Sequence, residues 1–431
     1  MAAKLDAPTV TISRRGADRI RAGHVWVYRS DVVEAKDVSP GALVTVQELS
    51  DKNVPSAALR AGRPTRPLPG TNVRAARPPR TLGTAFYSTA SQIALRIISL
   101  HPVKDLDQLL RERIQEAIAY RDRFVENTNA YRVIFSEGDF LPGLIVDRYN
   151  NVLSMQVLTQ AMDLDHIRSV VVSELKERLQ PAAIVEKVDA RVRQLEQLPE
   201  KESGLVYEDA ARRRPALQGQ ITTEFQMNDV RFLYEALGGQ KTGAFLDQRE
   251  NYAAAEKYAR GEALDVFCYQ GGFALHLART CERVTGVDSS RPALEIAEKN
   301  AGLNGREIEW IEANAFDLLR DYSDQGQKYG CIVLDPPAFA KSKRDLPTAL
   351  RGYKELNLRA LKMLRPRGIL VTCSCSYHVS GSELLEVVSS AAQDSHRIVR
   401  ILENRGQSKD HPTVLAIPET AYLKCLVALV N

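Results

Sequence analysis

From residue 264 to the end of the chain, apolar β-branched runs alternate with amphipathic segments of helical period. Strands are expected at 264–268, 283–287, 308–312, 329–334, 368–373, 397–402 and 422–429, and helices near 272–280, 290–303, 347–364 and 380–392. Such alternation leaves one economical architecture, a doubly wound, largely parallel sheet with helices on both faces. Ligands of such sheets bind at the carboxyl ends of the strands. One strand end is unusual. The buried run Cys331-Ile332-Val333-Leu334 stops at Asp335, and Pro336-Pro337-Ala338-Phe339 follows. The two prolines forbid both a ladder hydrogen bond and an immediate helix. An acid is therefore held on a stiff turn with an aromatic close behind it, an arrangement that suits a planar nucleobase. A plain structural turn is the competing reading.

The neighbouring strand ends narrow the ligand. The first strand runs into Asp265-Val266-Phe267-Cys268-Tyr269-Gln270-Gly271-Gly272-Phe273, which lacks both the Gly-x-Gly-x-x-Gly of dinucleotide enzymes and the P-loop lysine. Gly271 and Gly272 would let a ligand approach the helix start closely. The second strand ends at Asp288, 17 residues beyond Gly271, where an acid can accept both hydroxyls of a ribose. The third ends in Glu312-Ala313-Asn314-Ala315-Phe316-Asp317, where Asn314 or Asp317 can meet an adenine amino group and Phe316 can pack on its ring. Asp288 would equally serve as a helix cap. Taken in order, these strand ends describe an adenosine without phosphate, that is, S-adenosylmethionine.

The chain has 431 residues, enough for about three domains at the usual domain size. No apolar run reaches the length of a membrane span, and the N-terminus shows no secretory signal. Six cysteines are scattered without a Cys-x-x-Cys pair, so neither a metal site nor a disulfide framework is expected, and a reducing cytoplasm fits. Charge is uneven. Residues 1–100 hold 15 Lys and Arg against 7 Asp and Glu, leaving 43 against 47 for the remainder. The basic first part suggests a polyanionic partner. Within it, Arg14, Arg15, Arg19 and Arg21 fall on a short expected helix ending at Gly23. The segment 54–80 holds six prolines and six arginines with no acid and reads as an insertion unable to build a core. A helix is expected at 106–125, strands at 131–135, 143–147, 152–158 and 183–187, a helix at 164–178, and surface loops at 187–214. The organisation expected is thus residues 1–100 as a small β unit, 101–214 as an α+β unit and 215–431 as the doubly wound domain.

Several motifs bear a family resemblance. Gly23-His24-Val25-Trp26-Val27, in its β setting over 9–49 and 82–100, resembles the PUA domain, an RNA-binding β-barrel. Glu137-Gly138-Asp139-Phe140-Leu141-Pro142-Gly143, Lys241-Thr242-Gly243-Ala244-Phe245-Leu246-Asp247-Gln248-Arg249, Asp265-Val266-Phe267-Cys268-Tyr269-Gln270-Gly271-Gly272-Phe273, Asp335-Pro336-Pro337-Ala338-Phe339 and Ser374-Cys375-Ser376 are similar to those of the bacterial 23S rRNA cytosine-C5 methyltransferases typified by large-subunit methyltransferase I. The resemblance covers nearly all of the chain except 54–80. It implies a PUA domain, a small α+β domain and a class I S-adenosylmethionine-dependent methyltransferase fold. Phe245, Gln248 and Arg249 then wall the cofactor pocket, Arg249 suiting the methionyl carboxylate by charge. Where the family often has Asn-Arg, this chain has Asn251-Tyr252. The implied partner is RNA, 23S rRNA or an assembling large subunit, with no membrane association; a homodimer is compatible with the reading.

The implied chemistry requires a thiol. Carbon 5 of cytosine becomes nucleophilic only after a thiolate adds to carbon 6, so a cysteine must stand near a strand end. Cys373 and Cys375 share a strand face, and the Ser-Cys-Ser match singles out Cys375. A buried, inert cysteine is the bland alternative. Cys373 reads as support, and Asp335 as the group that contacts the base near N3. Pro337 stands where many related enzymes carry a second cysteine, so the base that removes the carbon-5 proton is unassigned. Lys341, Lys343 and Arg344 can meet RNA phosphates. Two rivals stand beside this reading. One is an amino-group methyltransferase using Asp-Pro-Pro-x-Phe, which needs no thiol; the other is a non-catalytic RNA-binding assembly factor.

Overall fold

The computed structural model describes residues 7–49, 80–209, 221–237, 244–340 and 342–431. The Pro/Arg-rich segment apart from Arg80, residues 238–243 and Lys341 lie outside the described residues.

The N-terminal unit contains β1 (Thr9–Ile12), α1 (Arg14–Arg21), β2 (Trp26–Tyr28), β3 (Val32–Ala35), β4 (Leu43–Glu48), β5 (Thr81–Tyr87) and β6 (Ile93–Ser99). Its six strands form one sheet in the order β2-β6-β5-β4-β1-β3. Ser13 caps α1 by accepting from the Gly16 N–H, and Ala17 and Ile20 bury against Val10, Ile12 and Val27. The sequence pattern had not suggested β3, because two of its four side chains face solvent.

The central unit contains α2 (Leu106–Phe124), β7 (Ala130–Phe135), β8 (Leu144–Tyr149), β9 (Val152–Val157), α3 (Asp165–Leu179), β10 (Ala183–Glu186), α4 (Ala190–Leu195) and β11 (Gly204–Glu208). Its sheet runs β11-β10-β9-β8-β7. The stretch expected to be loops at 187–214 thus carries a helix and a strand. β11 is an edge strand whose Leu205 and Val206 are exposed. Backbone pairing to β10 holds it, so no apolar alternation marked it.

A hairpin of β12 (Thr222–Met227) and β13 (Val230–Glu235) follows. Its turn residues Asn228 and Asp229 both have positive φ, as a two-residue hairpin turn of the right twist requires. Tyr234 stacks on Tyr149 of β8 with ring centroids 3.9 Å apart, so the hairpin and the central sheet share one core.

The last unit contains α5 (Arg249–Tyr258), β14 (Glu262–Val266), α6 (Gly272–Leu277), β15 (Arg283–Asp288), α7 (Arg291–Leu303), β16 (Glu309–Glu312), α8 (Ala315–Asp324), β17 (Tyr329–Leu334), α9 (Leu346–Met363), β18 (Leu364–Ser374), α10 (Gly381–Asp394), β19 (Val399–Arg405) and β20 (Lys424–Val430). The sheet order is β16-β15-β14-β17-β18-β20-β19. The first five are parallel, and β20 runs antiparallel to both its neighbours. The strand order reverses between β14 and β17, which opens a crevice at their carboxyl ends. Every strand expected from the sequence is present within a few residues. Helix α8 was not expected: its start was read as a ligand motif, whereas Asn314 caps it.

The connection between β19 and β20 holds the three units together. Ile417 is fully buried in the core of the N-terminal unit, and Glu419 meets His24 Nε2 at 3.1 Å. Asp410 accepts from the Arg132 N–H at 2.8 Å and pairs with Arg249 at 3.0 Å. Trp26 Nε1 donates to Glu137 at 3.0 Å. The aromatic of the first unit's motif and the acid of the central unit's motif thus bond each other across a domain boundary. Among the described residues no helix is long and apolar enough to cross a membrane, and no cluster of His, Cys, Asp or Glu is placed to hold a metal.

Candidate active site

Strands β17 and β18 lie side by side in parallel, with Leu334 beside Thr372. Asp335-Pro336-Pro337 and Cys373-Ser374-Cys375 therefore leave the sheet at the same level. Cys375 Sγ lies 3.9 Å from the Pro336 carbonyl oxygen. Cys375 and Asp335 are both half-buried at this edge. Burial pushes the Cys375 thiol up to about 11, with Asp335 and Asp247 adding to the shift and Lys424 opposing it.

Orientation comes from the opposite face. Tyr353, buried on α9, meets the hydroxyls of both flanking serines, Ser374 at 3.0 Å and Ser376 at 3.1 Å. Ser376 Oγ also accepts from the Ala340 N–H at 3.3 Å. The Tyr353 ring packs on Phe339 with centroids 4.9 Å apart. One tyrosine thus ties the turn after Asp335 to the turn around Cys375 and leaves the sulfur on the side of the acid. Cys373 is fully buried opposite Cys425 in the β18–β20 ladder. Lys424 Nζ donates to the Ser376 carbonyl at 2.7 Å and the Tyr422 carbonyl at 2.8 Å. Burial lowers its pKa, and Cys375 and Glu383 offset part of that.

The cleft beside these groups is walled by Phe245, Tyr252, Phe267, Tyr269 and Phe273 and reaches Asp335. Phe245 meets Tyr269 edge-on at 5.0 Å. Phe267, Tyr269 and Gly271 all have positive φ, so the backbone after β14 coils tightly around the crevice. Asp288 accepts from the Tyr269 and Ser290 N–H groups, each at 2.9 Å, which fixes its carboxylate at the end of β15. Asp265 is fully buried with Oδ2 accepting from Ala274 N–H, and Oδ1 has no hydrogen-bond partner among the described residues. Among the described residues lining the cleft there is no lysine or arginine. Aromatic walls, a fixed carboxylate and a buried acid oxygen without a partner among the described residues fit S-adenosylmethionine.

Several sequence expectations are corrected. Gly271 and Gly272 also make room for the protein itself, Gly272 while lining the cleft. A Cβ on Gly271 would lie 2.8 Å from the Trp310 ring, and one on Gly272 would lie 2.4 Å from Tyr252. Arg249 does not reach the cleft; it is 1% exposed and pairs with Asp410 at 3.0 Å, which removes it as the cation for a methionyl carboxylate. Gln248 is buried, accepting from Asn251 Nδ2 at 2.6 Å. Asn314 Oδ1 accepts from Phe316 N–H at 2.9 Å and Asp317 N–H at 3.4 Å, so helix capping takes the oxygen meant for adenine. Asp317 faces solvent and pairs with Arg320 at 3.4 Å. Ala315, first in α8, presents one of the N–H groups that intrahelical bonding leaves open.

The basic helix is likewise more structural than its composition implied. Arg15 and Arg19 pair with buried Asp31 at 2.7 and 3.3 Å. Arg21 pairs with Asp18 at 2.8 Å and with Glu48. Arg14 also lies on this helix. Lys343 is exposed just past Phe339, and Lys341 is outside the described residues. Sequence reasoning missed Tyr353, Lys424, Tyr252 and Asp265. Asp265, an acid inside an apolar strand, was the one among them with a visible signal. Tyr353 sits at an ordinary core position of an amphipathic helix, and nothing local distinguishes it.

Comparison with known proteins agrees with this geometry. The S-adenosylmethionine-dependent methyltransferase family matches residues 208–426, and a PUA-like domain matches residues 10–54. Ribosomal RNA large subunit methyltransferase I of Tolumonas auensis is 37% identical over 354 residues, covering 80% of this chain and 87% of that protein. The protein of the same name from Shewanella amazonensis is 37% identical over 374 residues, covering 85% and 92%. In fold, a SAM-dependent methyltransferase from Streptococcus mutans superposes with a TM-score of 0.76 at 17% identity, covering 98% of this chain and all of that one. The cofactor is S-adenosylmethionine. With its fold, its cleft and these relatives in agreement, the chain belongs to the S-adenosylmethionine-dependent methyltransferases, in the ribosomal RNA large subunit methyltransferase I family.

Proposed function

We propose that this protein methylates carbon 5 of a cytosine in RNA, most fittingly in large-subunit ribosomal RNA, through a covalent bond from Cys375 to carbon 6. The observation that carries the reading is the shared strand edge, with Cys375 Sγ 3.9 Å from the carbonyl of the residue after Asp335. The relatives' names support an RNA substrate, and the PUA-like match supports an RNA-binding role for residues 1–100. Residues 101–214 would then act as a spacer and 215–431 as the catalytic domain. Arg14, Lys343 and Arg344 would meet phosphates.

When bound, S-adenosylmethionine supplies an electrophilic methyl group. Asp288 would hold its ribose, Phe245, Phe267 and Tyr269 its flat parts, and the Ala315 N–H its adenine edge. The chain's own residues make the cytosine reactive. The Cys375 thiol loses its proton to solvent, and a lone pair of the resulting thiolate forms a bond to carbon 6. Asp335, at the N3 edge, shares a proton with the ring nitrogen that receives the displaced electron pair, leaving carbon 5 nucleophilic. After methyl transfer a base takes the carbon-5 proton, the freed pair forms the carbon 5–carbon 6 double bond, the carbon–sulfur bond breaks with its pair on sulfur as a thiolate that solvent reprotonates, and the ring nitrogen returns its proton to Asp335. Direct transfer to an exocyclic amine would give Cys375 no task. Bisulfite sequencing of ribosomal RNA from cells with and without the protein tests the product. One cytosine methylation lost with the protein is expected, and an unchanged pattern rejects the proposal.

A further inference from the structure

A base that is to reach Cys375 must leave its stack, so its neighbours in the strand lie over the surface around the strand ends. That surface presents one open ring. All fifteen tyrosines of the chain are described, and Tyr377 alone among them is exposed, at 54%. It stands two residues beyond Cys375. Its backbone is not loose. The Ser376 carbonyl accepts from Val379 N–H at 3.1 Å and from Lys424 Nζ at 2.7 Å. The Ser376 hydroxyl is bonded to Tyr353, and Ser380 caps α10 immediately afterwards. His378 meets the Tyr377 ring edge-on at 5.2 Å. A large ring facing water on a fixed turn is pre-ordered for a flat partner, so stacking would add apolar burial with little further loss of freedom.

We propose that Tyr377 is the stacking platform for the nucleobase adjacent to the target in single-stranded RNA. This deepens the RNA methyltransferase reading and rests on it. The test uses the full chain, labelled S-adenosylmethionine and a ribosomal RNA fragment that the wild-type protein methylates. Tyr377→Ala should raise KM for RNA by about 5- to 100-fold, the range expected for one lost stack, with KM for the cofactor unchanged. Tyr377→Phe and Tyr377→Trp should restore the wild-type value. An abasic residue placed on the contacted side of the target should weaken the wild-type protein by the same factor and leave Tyr377→Ala unaffected. A wild-type KM in Tyr377→Ala overturns the proposal. So do wild-type kinetics on fragments abasic at either neighbour, an arm that needs no variant. Methylation of a base other than cytosine would reject the proposed product while leaving this outcome readable.

Discussion

The strand ends around Asp335 and Cys375 and the arginine-rich helix α1 were both conspicuous in the sequence, yet the structure treats them differently. At the strand ends, residues far apart in the chain meet because parallel pairing sets Leu334 beside Thr372. Prolines then hold Asp335, and Tyr353 holds the serines around Cys375. In α1, Arg15, Arg19 and Arg21 turn to acids of their own unit, with Asp31 1% exposed beneath two of them. Burial disfavours the charge on Asp31, but Arg15, Ser13 and Arg19 outweigh it and lower its pKa. Pattern that dictates backbone geometry fixes where a side chain goes. Pattern that counts charges does not say which charge answers which.

The comparison can be broken most sharply at the sulfur. Cys375→Ala should lower kcat by about 10³-fold or more, since a missing nucleophile disables the whole unit. An amino-group methyltransferase would keep most of its rate. Asp335→Asn should cost about 10²- to 10⁴-fold, read in single-turnover methylation, because it removes the proton shared with the ring. The pH profile adds a sign. With the Cys375 thiol raised to about 11, the reactive thiolate is the minor form throughout the neutral range. At low substrate the rate should therefore rise with pH, approaching tenfold per unit between pH 7 and 9, and a flat profile would exclude thiolate attack as the limiting step.

Smaller effects test the other side of the comparison. Asp31→Ala should destabilise the protein by about 1–3 kcal/mol in urea unfolding, since two arginines lose their buried acceptor. By linkage, the lowered pKa of Asp31 contributes stability above its unfolded value, and that contribution fades as pH falls through the folded one. Arg15→Ala should change the slope of log affinity for RNA against log salt by less than the ~0.7 expected for one lost single-strand phosphate contact. A full unit of change would return α1 to RNA binding. Tyr353→Phe keeps the ring against Phe339 and removes the bonds to the serines. A fall in kcat of about 5- to 10-fold with both KM values unchanged is expected, the scale of one hydrogen bond.

Legibility follows the same division. Parallel strands and their order of occurrence were readable because apolar runs, prolines and spacing act locally. The start of α8 was misread because Asn314 looks the same whether it caps a helix or meets a base. Gly271 and Gly272 were correctly judged to need space, but Trp310 and Tyr252 occupy it. The connection that seats Ile417 in the N-terminal core left no trace in the sequence, since its meaning lies in contacts nearly 400 residues apart. Arg249 has the right charge for a carboxylate; only the fold reveals that Asp410 already supplies one.

The most direct measurement is covalent trapping. RNA carrying 5-fluorocytidine at the target lacks the carbon-5 proton that must leave, so a cysteine adduct formed during methylation cannot resolve. Wild-type protein incubated with this RNA and S-adenosylmethionine should yield a denaturation-resistant complex, mapping by mass spectrometry to Cys375 and absent in Cys375→Ala. Full methylation of ordinary RNA by Cys375→Ala, with no trapped complex from the wild-type protein, would contradict the account.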